Sequence, residues 1–108
     1  MSKSLRVTEK SRAFRRRVVI NQAIIVTNPR GLHARSASAI VKLGQTFESS
    51  ITFEKDGRFA GGRNIMELLL LEAPKGTSLV LHCEGPDEAQ AAKEIIDLFA
   101  RNFGETET

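Results

Sequence analysis

Asn28-Pro-Arg-Gly-Leu-His-Ala-Arg-Ser-Ala-Ser38 is the stretch on which the reading of this chain turns. Pro29 and Gly31 break the apolar run before them, and a helical pattern opens at Ala34 and runs on through Ile40, Val41 and Leu43. A strand therefore gives way to a helix here, with one histidine, His33, at the helix N-terminus. The first amides of a helix have no intrahelical acceptor and carry about half a positive charge, which favours an anion. A phosphoryl group on His33 would meet the amides of Ala34 and Arg35. The Arg35 guanidinium could add charge-assisted hydrogen bonds to the same oxygens. These features describe a phosphohistidine site, while a histidine beside a turn can equally be a surface residue or a local cap. Local spacing leaves both readings open.

Outward from this stretch the chain alternates between two periodicities. Before it, residues 18–27 are rich in β-branched side chains, with Ile20, Gln22, Ile24 and Val26 on one face of a first strand. The helix after it is predicted from Ala34 to about Gln45, with Ala37, Ile40, Val41 and Gly44 inward and Ser36 and Ser38 on or near the solvent side. Ser50 to Lys55 alternates as a second strand, Asp56-Gly57 signals a hairpin turn, and Arg58 to Gly61 is a short third strand at the sheet edge. Asn64 is placed to cap a short apolar helix from Ile65 to Leu71, ended near Pro74 and Gly76. Leu68 and Leu71 serve the core. Periodicity leaves open whether Ile65, Met66 and Leu69 or Leu70 are buried as well or form an exposed partner surface.

Thr77 to Glu84 is a fourth strand, with Leu79, Leu81 and Cys83 inward and Val80 and His82 outward. Gly85-Pro86-Asp87-Glu88 opens a last helix whose buried stripe is Ala89, Ala92, Ile95, Ile96, Leu98 and Phe99, ended by Phe103-Gly104. The order β, α, β, β, α, β, α with its central hairpin predicts an α+β two-layer domain, an antiparallel sheet with helices on one face.

At 108 residues, 41% hydrophobic and 27% charged, the chain has the size and composition of one small domain with a single core. The lone Cys83 cannot form an internal disulfide, which suits a reducing compartment, and no second Cys or His is spaced for a metal site. No apolar run reaches the length of a membrane span, and the N-terminus lacks the apolar segment of a secretory signal. The net charge of +3 hides a split: residues 1–17 carry +6 and residues 18–108 carry −3. The basic segment reads as a flexible extension, residues 18–104 as the domain, and residues 105–108 as a frayed tail. Nucleic-acid binding by the extension is an alternative function, with no aromatic interleaving to support it.

Gly31-Leu32-His33-Ala34-Arg35 closely resembles the active-site motif of the HPr family, the histidine phosphocarriers of the phosphoenolpyruvate-dependent phosphotransferase systems. The resemblance continues in order and spacing through Phe47-Glu48-Ser49, Asn64-Ile65-Met66, Lys75-Gly76 and Gly85-Pro86-Asp87-Glu88-Ala89. It implies an open-faced sandwich of four antiparallel strands under three helices. It implies that His33, assisted by Arg35, takes a phosphoryl group on Nδ1 from an Enzyme I-type phosphotransferase and passes it to an enzyme IIA-type protein. It also selects the exposed reading of the second helix, with Ile65, Met66 and Leu69 docking both partners. No cofactor or metal is expected, and the expectation is a cytoplasmic monomer. A regulatory protein whose phosphorylation state selects its partners, without onward transfer, is the second reading.

Three positions depart from the commonest family pattern. Ser36 stands where Pro is usual, which predicts a looser helix start. Asn64 stands where many relatives carry a regulatory serine, and it has no hydroxyl to phosphorylate. Glu67, Leu70 and Glu72, with Ala73-Pro74-Lys75-Gly76, look more like the NPr branch, the carriers of the nitrogen-related system.

Overall fold

The computed structural model describes residues 20–105. The basic extension 1–17, the first two residues of the expected first strand and the tail residues 106–108 lie outside them. Four strands, β1 (Ile20–Ile25), β2 (Ser50–Lys55), β3 (Arg58–Gly61) and β4 (Ser78–Glu84), form one antiparallel sheet in the order β1-β4-β2-β3. Three helices accompany it: α1 (Ala34–Gly44), α2 (Ile65–Leu70) and α3 (Glu88–Ala100). The α+β open-faced sandwich predicted from the sequence is the architecture found.

Strand alternation sorts the two faces. Leu79, Leu81 and Cys83 of β4 and Ile51 and Phe53 of β2 point under the helices and are buried, as the pattern requires. They meet Ile40 of α1, Leu68 of α2 and Ile95 and Phe99 of α3 in one core, with the Phe53 and Phe99 rings 5.7 Å apart. His82 lies on the other face, where its ring nitrogens meet Asn21 Oδ1 at 2.5 Å and Glu54 Oε1 at 2.9 Å. Burial drives the Cys83 thiol up to about 11, with the charges of Glu88 and Asp87 adding to it, so the thiol stays protonated and inert at neutral pH.

Several local expectations are corrected. Gln22 is exposed although its parity is inward, because β1 is an edge strand; only Ile24 and Val26 of that set are buried. In α3 the buried residues are Ala91, Ala92, Ile95, Leu98 and Phe99, and Ala89 is exposed. Ala89 lies six residues before Ile95, about 120° around the helix from the inner face. Helix α2 ends at Leu70 with Leu71 as its C-cap, one residue short of the expected Leu71, and Glu72 follows in the left-handed region at φ 55°. Cations from the β2–β3 hairpin cap that end: Lys55 Nζ donates to the carbonyls of Leu71 (2.9 Å) and Glu72 (2.6 Å), and Arg58 donates to Leu71 O (3.2 Å).

Asp87 stands at the N-cap of α3 but makes no side-chain cap there. Its carboxylate instead accepts from the Glu48 and Ser49 amides at 3.0 and 2.9 Å and from Ser49 Oγ, tying α3 to the entry of β2. The Ser49 hydroxyl, then the Glu48 and Ser49 amides, hold its pKa below the usual carboxylate value against a smaller opposing effect of burial. Because the folded-state value is depressed, the stabilisation is present above the unfolded pKa and lost as pH falls through the folded one. Asp87→Asn should lower the melting temperature at pH 7. The difference from wild type should shrink as the pH drops below the carboxylate range, as a thermal-melt series against pH would read.

Candidate functional site

The loop between β1 and α1 is held by side chains as much as by backbone. Gly31 N–H bonds back to Asn28 O at 3.1 Å, closing a turn with Pro29 and Arg30 at its centre. Asn28 is fully buried, and its Nδ2 donates to Gly31 O at 2.8 Å. Leu32 N–H reaches Ala73 O at 2.8 Å, bringing the loop that follows α2 against the turn. Gly31, at φ +67°, permits both the turn and that close approach.

His33 follows in extended geometry (φ −139°, ψ −178°) as the N-cap of α1, and Ala37 N–H closes the first helical bond on His33 O at 2.8 Å. The imidazole Nδ1 accepts from the Arg35 N–H at 3.3 Å. Ser36 completes a reciprocal capping box: its Oγ accepts from His33 N–H at 3.0 Å and lies 3.1 Å from Gly31 O. The sequence reading set Ser36 near solvent, and the structure buries it completely. Its hydroxyl firms the helix start where the usual Pro is missing. Ser36→Ala should cost about 1–2 kcal/mol in urea unfolding by orphaning the His33 N–H, while Gly31 O keeps its bond from Asn28 Nδ2.

The other ring nitrogen has a partner that the sequence reading left in the tail. Glu105 Oε2 lies 2.6 Å from His33 Nε2, with the two side chains 11% and 24% exposed. The same oxygen accepts from Asn28 Nδ2 at 3.0 Å, and Oε1 faces the Arg30 N–H at 3.4 Å. Burial pushes the Glu105 carboxyl up, but the bonds from His33, Asn28 and Arg30 together prevail and hold it below its ordinary value. At neutral pH a carboxylate therefore faces Nε2.

Ala34 and Arg35 are exposed at the open start of α1. Helix α2 packs on α1 and is capped by Asn64 Oδ1, which accepts from Glu67 N–H at 3.1 Å. Its outer side shows Ile65 (37% exposed), Met66 (63%) and Leu70 (62%), whereas Leu69 is half-buried against the core. Among the described residues no group of three His, Cys, Asp or Glu side chains gathers as a metal site would require.

His33 was singled out from the sequence, whereas the bonds that Asn28, Ser36 and Glu105 make around it were not. Asn before Pro marks a turn whose side chain often bonds backbone. Gly104 was the only hint that the chain turns back after α3.

Fold and site together define a class: a small open-faced α+β domain that presents one carboxylate-paired histidine at the start of a helix. A family model described as the PTS HPr component phosphorylation site matches residues 20–101. The chain belongs to the HPr family. It is 36% identical over 89 residues to the phosphocarrier protein HPr of Neisseria meningitidis, covering 82% of this chain and 100% of that one. To the phosphocarrier protein NPr of Escherichia coli it is 32% identical over 89 residues, covering 82% and 99%. The crystal structure of an HPr from Thermoanaerobacter tengcongensis matches with a TM-score of 0.78 at 35% identity, covering 82% of this chain and 99% of that one.

Proposed function

We propose that His33 is the residue on which this chain takes up and hands on a phosphoryl group. The supporting observation is the division of its ring: a carboxylate stands at Nε2, and a backbone N–H points at Nδ1. With the proton on Nε2 the lone pair is on Nδ1, and that pair is the nucleophile. It attacks the phosphorus of a phosphorylated donor. The Nδ1–P bond forms as the donor's bond to phosphorus breaks and its electron pair leaves with the donor; onward transfer is the same step with the roles exchanged. The Arg35 N–H, released from Nδ1, then serves the phosphoryl oxygens with the Ala34 amide and the Arg35 guanidinium. Phosphoryl transfer asks mainly for positioning and charge, so this small set suffices once a partner closes the site.

The donor is an Enzyme I-type phosphotransferase charged from phosphoenolpyruvate, and the acceptor an enzyme IIA-type protein. Both dock in turn, through a small transient interface, on the apolar outer side of α2, where Ile65 and Met66 are joined by Leu70 more than by Leu69. The carrier works as a monomer in the cytoplasm, beside such partners. The acidic, leucine-rich α2 and Ala73-Pro74-Lys75-Gly76 favour the nitrogen-related branch. Incubation with a sugar-system Enzyme I and, separately, its nitrogen-system paralogue, each with phosphoenolpyruvate and Mg²⁺, should add one acid-labile phosphoryl group by intact mass. The faster donor assigns the branch. No gain from either donor would overturn the reading.

A further inference from the structure

The five residues after α3 are built as a strap that ends on the site. Asn102, Phe103 and Gly104 lie consecutively in the left-handed region, at φ 55°, 55° and 79°. Two non-glycine residues in that region persist only where their surroundings hold them. Here Thr27 Oγ1 bonds Asn102 Oδ1 at 2.6 Å, the Phe103 ring packs edge-on against Phe99 at 4.8 Å, and Glu105 N–H closes on Asn102 O at 2.8 Å. The reversed chain delivers Glu105 to His33 Nε2, with Asn28 Nδ2 and the Arg30 N–H steadying its two oxygens. Asn28 spends its amide donor this way although its buried Oδ1 has no partner among the described residues. The strained backbone and the buried Asn28 amide donor both converge on one carboxylate.

Taking the proposed role of His33 as its basis, we infer that Glu105 is a positioning residue for the transfer: it keeps the proton on Nε2 and balances the ring's charge once Nδ1 is bonded to phosphorus. A ring that keeps its Nε2 proton becomes cationic on forming the Nδ1–P bond, and the protonated ring is the better leaving group in onward transfer. A carboxylate 2.6 Å from Nε2 favours that cation at both stages. Asn28 acts one step further out, by orienting Glu105.

The test uses the full 108-residue chain and potassium phosphoramidate, a donor that needs no partner protein. In proton NMR, wild type should show a slowly exchanging, downfield Nε2 proton of His33, and Glu105→Ala should lose it. Glu105→Gln keeps the size of the side chain and removes the charge. It should take up phosphate from phosphoramidate about tenfold more slowly, the usual scale for removing a partner that orients a reactive group, while still melting cooperatively as a folded chain. Persistence of the Nε2 proton in Glu105→Ala, or wild-type uptake by Glu105→Gln, would overturn the inference. A wild type that shows the proton and its loss in Glu105→Ala, yet takes no phosphate from any donor, would support the pairing and overturn the functional reading instead.

Discussion

His33→Ala should abolish uptake of the phosphoryl group, to below the detection limit of intact-mass analysis after incubation with Enzyme I, phosphoenolpyruvate and Mg²⁺. No neighbouring side chain can replace it: Arg35 and the helix amides bind charge but offer no nucleophile, and Ser36 Oγ is fully buried and occupied by backbone groups. Thermal melting should show that the variant folds, since it loses a helix cap, worth about 1 kcal/mol, and one of the partners of the Glu105 carboxylate, which keeps its bonds from Asn28 and the Arg30 N–H. His82→Ala is the matched control and should retain full uptake. That ring sits on the opposite face of the sheet, between Asn21 and Glu54, with no helix terminus beside it.

Gly31→Ala should be among the most damaging conservative changes in the domain, at about 3 kcal/mol of stability. A Cβ on Gly31 would fall 2.5 Å from Ala73 O and 2.7 Å from Pro74 Cα, contacts with backbone that no rotamer can relieve. The φ of +67° adds strain of its own. The loop could relax only by giving up the Leu32 N–H bond to Ala73 O or the Asn28 bond to Gly31 O, and both position His33. Uptake should therefore fall with stability, measured by urea unfolding beside the phosphorylation rate. A variant within about 0.5 kcal/mol of wild type, the range of an ordinary surface change, would contradict this account of the loop.

Legibility in the sequence followed the range of the interactions. Strand parity placed Leu79, Leu81, Cys83, Ile51 and Phe53 correctly, because a buried face imposes a period of two on the residues themselves. The hairpin at Asp56-Gly57 was equally plain: both residues take positive φ, 48° and 83°, as a two-residue turn between twisted strands needs. Ser36 was misplaced because helical periodicity describes side chains that pack outward from the axis. Its hydroxyl instead turns back to cap its own helix. Glu105 could not be read at all, since its partner is His33, 72 positions earlier, and no period links a tail carboxylate to a loop. Position around α2 was legible only as far as the inward residues, Leu68 within the helix and Leu71 at its C-cap. The outer side, where Ile65, Met66 and Leu70 stay exposed, carries no imprint of the core on its pattern.

In the proposed transfer, Nδ1 of His33 carries the phosphoryl group while Glu105 holds the proton on Nε2. Long-range proton–nitrogen NMR of the ¹⁵N-labelled, phosphorylated chain tests both halves in one spectrum. Phosphorus coupling should appear at Nδ1 of His33, with the proton on Nε2 retained. Phosphorus on Nε2, or on any residue other than His33, would contradict that transfer.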